Sequence, residues 1–285
     1  MKRCSKFSLI MATLGRDKDV FTFCSHLANQ TYFNFELIIV DQNDDRRLDS
    51  VVAAFQDKFK IFHIRSPRKG LSHNRNIGMM YASGDILAFP DDDCYYNDDT
   101  LEYVLNGFEQ TGADYFCINY NDEKYPEESK WGETEKIWIR KKKFYEYGIS
   151  ISLFIKREIE QNFRFDEQLG VGSSFGSGEE TDLLLYFLSK KYSCYYDGTY
   201  CIHHPYTKMY TADLKRVYSY SLGFGAIHKK AFIYYRNFYA LPRFIKFLCA
   251  NAIKVLFLQE RKRSWTALKG KLWGFITYKI TEENK

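Results

Sequence analysis

The sequence predicts an α/β fold, a mostly parallel sheet flanked by helices, with a helical and basic region at its C-terminal end. Three observations carry that prediction. Short apolar runs of strand length alternate with stretches of helical spacing from residue 7 onward. Acidic residues stand directly after two of those runs, at Asp41 and at Asp91. The charge then changes sign near residue 210. Residues 211–285 hold 15 Lys/Arg against 4 Asp/Glu, a net +11, while the first 210 hold 26 against 32, a net −6.

The elements follow in order. Residues 7–11, 35–40, 60–64 and 86–89 are apolar enough to be buried strands, the second ending at Asp41 and the fourth at Pro90 and Asp91. Between them, 19–30, 48–59 and 73–82 have helical spacing. Strand and helix alternating at this interval imply βαβ units and a parallel sheet, whose ligands bind beyond the carboxyl ends of the strands. From 121 to 143 the chain turns polar and charged around Trp131 and Trp138, the pattern of a long excursion or lid over the site. Strands resume at 149–155 and 193–196, and after Pro205 the chain reads as helical, basic and aromatic.

Composition narrows the class. A chain of 285 residues buries a full core. Its seven cysteines are scattered and odd in number, with no CxxC pair, which argues for a reducing compartment and against a disulfide framework or a zinc site. Lys2 and Arg3 precede an apolar run that stops at Gly15-Arg16-Asp17 without a small-residue cleavage pattern, so that run is expected to be the first strand and not a signal peptide. The 24 Phe and 23 Tyr suit sugar faces and membrane interfaces as well as cores.

Chemistry concentrates in two acidic clusters. Asp91-Asp92-Asp93 follows an apolar strand, and adjacent carboxylates repel unless a cation lies between them. A divalent ion with oxygen ligands would satisfy them and could hold a diphosphate. A solvated turn before a helix capped by Asp98-Asp99-Thr100 is the alternative. Upstream, Gly70-Leu71-Ser72-His73-Asn74-Arg75-Asn76-Ile77-Gly78 enters a helix, where Arg75 could meet phosphate with its planar fork or simply face solvent. The second cluster, Glu179-Glu180-Thr181-Asp182, opens an apolar stretch, where acids also favour a helix's free amides. His203-His204-Pro205 follows an edge strand, and neighbouring strand residues face opposite ways, so one histidine at most reaches the site.

Taken together, these motifs resemble the family 2 glycosyltransferases, inverting enzymes of the GT-A (nucleotide-diphospho-sugar transferase) fold common in bacterial polysaccharide assembly. The resemblance covers about the first 200 residues and is carried by residues 8–13, Ile39-Val40-Asp41-Gln42, Gly70-Leu71-Ser72 with Arg75-Asn76 and Gly78, Gly84-Asp85, the Asp91 cluster and Gly178-Glu179-Glu180-Thr181-Asp182. Ala12, Leu14, Gln42 and Asn74 depart from the usual pattern. The resemblance implies that Thr13 and Asp41 lie near the donor's base or ribose and Arg75 near the base or diphosphate. It places Asp91 and Asp92 on the donor side and makes Asp93 a ligand for Mn²⁺ or Mg²⁺. Glu180 matches the general base, with Glu179 one residue off; Asp182 would cap the helix or touch the acceptor, and His204 would complete the metal shell.

The expected activity is therefore metal-dependent, inverting transfer from a nucleotide-sugar, by default a UDP-sugar, to a glycan or lipid-linked acceptor. The expected organisation is a catalytic domain at 1–207 and a helical, basic region at 208–285. Residues 243–258 are too short and too charged to span a bilayer. On a helical wheel Arg243, Lys246, Asn251 and Lys254 share one side, and Arg261-Lys262-Arg263-Ser264-Trp265 follows. Such a segment suits an anionic membrane surface, which implies a cytoplasmic protein held peripherally at the inner face of the cell membrane. Packing on the catalytic domain is the alternative, and no nucleic-acid module accompanies the basic region. Two other functions fit less well. A sugar nucleotidyltransferase would want a glycine-rich basic loop where Ala12-Thr13-Leu14-Gly15-Arg16 stands, and a catalytically silent scaffold would need neither acidic cluster.

Overall fold

The computed structural model describes residues 5–122, 124–125, 135–147, 149–160, 163–205, 212–257 and 261–281. In chain order its elements are β1 (Phe7–Thr13), α1 (Lys18–Leu27), β2 (Phe35–Asp41), α2 (Asp49–Phe55), β3 (Lys60–Arg65), α3 (Leu71–Tyr81), β4 (Ile86–Ala88), α4 (Thr100–Thr111), β5 (Tyr115–Asn121), β6 (Lys136–Trp138), β7 (Leu153–Lys156), α5 (Arg157–Glu160), α6 (Glu179–Ser189), β8 (Cys194–His203), α7 (Leu214–Ile233), α8 (Ala240–Phe257) and α9 (Arg261–Thr277).

Every residue of β1 and β2 is buried, as expected of central parallel strands covered on both faces. The eight strands lie in the order β3-β2-β1-β4-β7-β5-β8-β6. β1 pairs in parallel with both β2 and β4, so the chain winds outward through β2 and β3 and returns to β4 on β1's other side. The gap between β1 and β4 is thus the switch point, where loops diverge and leave a crevice. Only β7 and β6 run antiparallel to their neighbours.

Alternate residues of β1 feed different cores. Ile10 joins Ile38, Val40, Met79, Leu183 and Phe187 on the α3 and α6 face. Leu9 and Met11 join Val20, Phe23, Leu101 and Val104 on the α1 and α4 face. Gly78 allows α3 to approach closely, since a Cβ there would stand 2.4 Å from Ile10 Cγ2.

One expectation changes. Residues 136–143 are not loose excursion: β6 adds an edge strand against β8, with Lys136 and Trp138 facing out and Ile137 in. The remainder of that expected lid, including Trp131, lies outside the described residues, as does the expected boundary at 207. The helices of the C-terminal region pack on the sheet domain. Ala226, Ile227, Ala231, Tyr235, Ala240 and Tyr278 belong to the same buried cluster as β5 and α6. A seam of small residues locks α7 to α9: a Cβ at Gly274 would stand 2.0 Å from Leu222 O, and one at Gly225 2.1 Å from Lys271 O. No described helix is long and apolar enough to cross a membrane.

Candidate active site

A cavity of about 730 Å³ opens at the carboxyl ends of β1 and β4, lined by Arg16, Lys69, Gly70, the three carboxylates Asp91, Asp92 and Asp93, His204, and Lys215, Arg216 and Tyr220 from α7. Another, of about 840 Å³, lies at the opposite end of the sheet beside Gly84, Asp85 and Lys156 and contains none of the residues expected to act.

The three neighbouring aspartates turn different ways. Asp92 is nearly buried; it accepts a 2.6 Å hydrogen bond from the Thr13 hydroxyl and another from Arg16, yet burial keeps its carboxyl above the usual range. Asp93 pairs with Arg16 at 2.6 Å and with His204 at 3.2 Å. Burial would raise its carboxyl, but His204 and Arg16 outweigh it and hold it at about 2. His204 answers in kind: burial would lower it, and the bond to Asp93 with the charge of Asp91 raises it. One ligand atom each from Asp91, Asp93 and His204 lies within 4.8 Å of the others. Two carboxylates and an imidazole around so small a space suit Mn²⁺ or Mg²⁺. His203, its neighbour, faces away toward Asn97 and stacks on Tyr95, as strand alternation requires.

Thr13 and Asp41 stand behind the cavity wall. Thr13 is buried under Asp92, and Asp41 is fully buried, accepting from Asn43 at 2.7 Å and meeting His63 Nε2 at 2.9 Å. Asn43 in turn accepts from the Gly15 amide, so Asp41 braces the turn that carries Arg16. Gln42, the departure beside Asp41, caps the Gly70 amide at 2.8 Å.

The expected place of Arg75 is near the donor's base or diphosphate. It is fully buried and absent from the cavity lining. Its guanidinium donates to Asp91 at 2.9 Å and to Glu179 at 3.4 Å. It therefore joins the two acidic clusters.

Glu179 and Glu180 open α6 beside Gly178, whose φ of 104° only glycine adopts comfortably. Glu179 is buried and Glu180 half-buried. Burial, then the charge of Glu179, pushes the Glu180 carboxyl well up, with Arg75 opposing. Neither lines the cavity, but Tyr220, which does, feels both of their charges.

Asp182 turns inward from the same helix. It is 1% exposed, and its carboxylate is consumed by Lys230 Nζ at 2.7 Å and the Tyr235 hydroxyl at 2.9 Å. Lys230 also donates to Asp166, which accepts from Tyr278. One helical turn carries Asp182 from the site into the core, where it ties α6 to α7 and, through Lys230 and Asp166, to the chain beyond α9.

Sequence reasoning missed Arg16, His63 and Lys230. Arg16 stands in a loop with no motif that marks it, and the other two lie far along the chain from the carboxylates they serve.

The model of glycosyl transferase family 2 matches residues 8–167. The minor teichoic acid biosynthesis protein GgaB of Bacillus subtilis is 25% identical over 196 residues, 65% of this chain and 21% of that protein. An uncharacterized glycosyltransferase of Haemophilus influenzae is 28% identical over 221 residues, 72% of this chain and 71% of its own. The GalNAc(5)-diNAcBac-PP-undecaprenol beta-1,3-glucosyltransferase of Campylobacter jejuni is 28% identical over 57% of this chain and 55% of its own. The chain thus spans a fraction of the Bacillus protein and about half of the Campylobacter one. Among solved structures, S. aureus TarS 1-349 with UDP-GlcNAc superposes with a TM-score of 0.61 at 17% identity, covering 98% of this chain and 77% of that one. The Pyrobaculum calidifontis mannosyltransferase PcManGT with GDP-Man and Mn²⁺ gives 0.64 at 13%, covering 96% and 87%.

Proposed function

The chain belongs to glycosyl transferase family 2 and is a glycosyltransferase of the GT-A fold, and from that premise we propose metal-dependent, inverting transfer of a sugar from UDP to a glycan or lipid-linked acceptor in surface polysaccharide assembly. The observation that carries the proposal is Asp91, Asp93 and His204 facing a cavity while Glu180 stands behind its wall.

Asp91, Asp93 and His204 would hold Mn²⁺ or Mg²⁺, which when bound supplies positive charge to the diphosphate leaving group. Arg16 and Lys69 add charge on the same wall. Asp92 keeps Arg16 in place, and Thr13 and Asp41 shape the base and ribose end from behind. Glu180 takes the proton of the acceptor hydroxyl as its oxygen attacks the anomeric carbon. The bond to the diphosphate breaks on the opposite face, so the centre inverts. A carboxyl raised toward neutrality suits that base. UDP is favoured because TarS is described with UDP-GlcNAc, and PcManGT with GDP-Man and Mn²⁺ makes GDP the competing donor to test.

Membrane contact forms part of the proposal. Ile245, Ile253 and Leu256 on α8 and Trp265, Leu272, Trp273 and Ile276 on α9 are exposed, with Lys246, Lys254, Lys262 and Lys269 exposed among them. Arg243 leaves the expected basic face to pair with Glu146. An outer surface mixing aromatic, aliphatic and basic side chains suits the anionic cytoplasmic leaflet, where a lipid-linked acceptor would be met. Flotation with anionic vesicles that is undiminished in Trp265→Ala/Trp273→Ala would remove this contact.

Thermal unfolding with UDP, GDP, CDP and dTDP, with and without Mn²⁺, tests the donor site. Ligand at about 100 times its Kd stabilises by about 2.7 kcal/mol, a shift of a few degrees. A Mn²⁺-dependent shift with one nucleotide that disappears in Asp93→Ala supports the reading. No shift with any nucleotide favours a silent sugar- or lipid-binding scaffold.

A further inference from the structure

We propose that Arg75 is a positioning residue that couples the donor side of the reaction centre to its base side, so that occupancy of the metal cluster is felt at Glu179 and Glu180. This rests on the assignment of those clusters to donor and base.

The geometry is that of a clamp. Asp91 comes from the end of β4 and Glu179 from the start of α6, and Arg75 is the described side chain bonded to both. It is fully buried, so neither bond is exchanged with bulk water. Its guanidinium lies 6.0 Å from the Phe89 ring centroid and 5.7 Å from that of Phe165, which limits its tilt. Nε has no hydrogen-bond partner, so the fork is held by its two carboxylates alone. Glu179 Oε2 is likewise buried without a partner, and a Cβ on Gly170 would come within 3.3 Å of it. Glu179 therefore has little room, and besides Arg75 its carboxylate meets the side chain of Glu180.

One cation shared by two carboxylates makes their demands compete. Asp91 also offers an oxygen to the metal cluster, and a divalent ion there draws that carboxylate away from Arg75. The guanidinium then turns more fully to Glu179, whose bond is the longer of the two. Glu179 is the charged neighbour of Glu180, so its hold on Arg75 reaches the base. Coupling of this kind is reciprocal, and loss of Glu179 must register at the metal.

The test measures Mn²⁺ affinity, with and without UDP, in Glu179→Gln, Arg75→Gln and their double variant. Glu179→Gln leaves Arg75 wholly to Asp91 and is expected to weaken Mn²⁺ about fivefold or more. Arg75→Gln frees Asp91 and is expected to tighten Mn²⁺ by a similar factor, with UDP affinity undiminished. In the Arg75→Gln background, adding Glu179→Gln should change Mn²⁺ affinity by less than about twofold. A donor-binding Arg75 predicts the reverse: Mn²⁺ alone unchanged and UDP weakened, which overturns the clamp. Equal effects of Glu179→Gln in both backgrounds reduce it to through-space charge and also overturn it. Should Arg75→Gln not fold, Arg75→Lys, which keeps the charge and loses the fork, is expected to abolish the Glu179→Gln effect equally. Failure of the wild-type chain to bind Mn²⁺ strikes the donor-site assignment itself. Binding that ignores Glu179 strikes the clamp alone.

Discussion

Asp91, Asp92 and Asp93 face a cavity, whereas Glu179, Glu180 and Asp182 face the protein. The first cluster leaves lone pairs toward solvent and meets a half-exposed partner, Arg16. The second is gripped from behind by cations that solvent does not reach, Arg75 at one end and Lys230 at the other. A carboxylate with an exposed oxygen can exchange one cation for another, and one sealed against a lysine cannot. The difference separates binding from bracing: in the proposed function the outer cluster accepts a metal and a donor, while the inner one holds a single base at a fixed place.

The sharpest way to break that comparison is Glu180→Gln. Transfer should fall by about 10³-fold or more while UDP binding, read by calorimetry, stays within about twofold. Burial raises this carboxyl, so ionised Glu180 burdens the fold, and the variant should unfold at a temperature no lower than the wild type. Normal turnover would remove Glu180 from the mechanism.

Next in size is Lys230→Met, which strands Asp166 and Asp182 in the core without their cation. Denaturant unfolding should show a loss of about 3–5 kcal/mol. In the outer cluster, Asp93→Asn should cost less than that, because Arg16 stays half-exposed and the remaining partners can be reached by water. Equal losses in the two variants would dissolve the distinction between bracing and binding.

A smaller effect is expected from pH in the presence of EDTA. The folded-state carboxyl of Asp93 lies at about 2, below its unfolded value, so its contribution is present above about pH 4 and fades as pH falls toward 2. His204 is raised, so its contribution is complete below about pH 6.5 and fades as pH climbs through the raised value. Stability from the pair should therefore peak between those limits, and His204→Gln should flatten the curve on the alkaline side. The smallest shift belongs to Glu179→Gln: removing a charge that raises Glu180 should move the acidic limb of kcat/KM to lower pH.

Much of the fold could be read directly. β1, β2, β3 and β4 each appear where an apolar run stands, within a residue or two at their ends; β1, β2 and β4 are buried along their whole length, as a strand covered on both faces must be, while β3 is a partly buried edge strand. β6 was not legible, since three residues pairing along one edge, Lys136, Ile137 and Trp138, carry too weak an alternation to stand out from a charged segment. The site divides in the same way. Asp93 and His204 meet as expected, because a strand end and its alternation determine where they point. Asp182 could not be placed from its neighbours: Lys230 lies 48 residues away, and nothing local marks a lysine as buried.

The sequence by itself determined the alternation of strand and helix, the carboxyl-end location of Asp41 and the Asp91 cluster and the reversal of charge near residue 210, since each depends on spacing or composition. The tertiary structure alone decided which carboxylates remain available. Arg16, Arg75 and Lys230 are equally cationic in the sequence, and only packing puts one at a cavity wall, one between two carboxylates and one in the core. Burial and pairing arise between segments far apart along the chain, and they decide whether a charge binds a ligand or braces the fold.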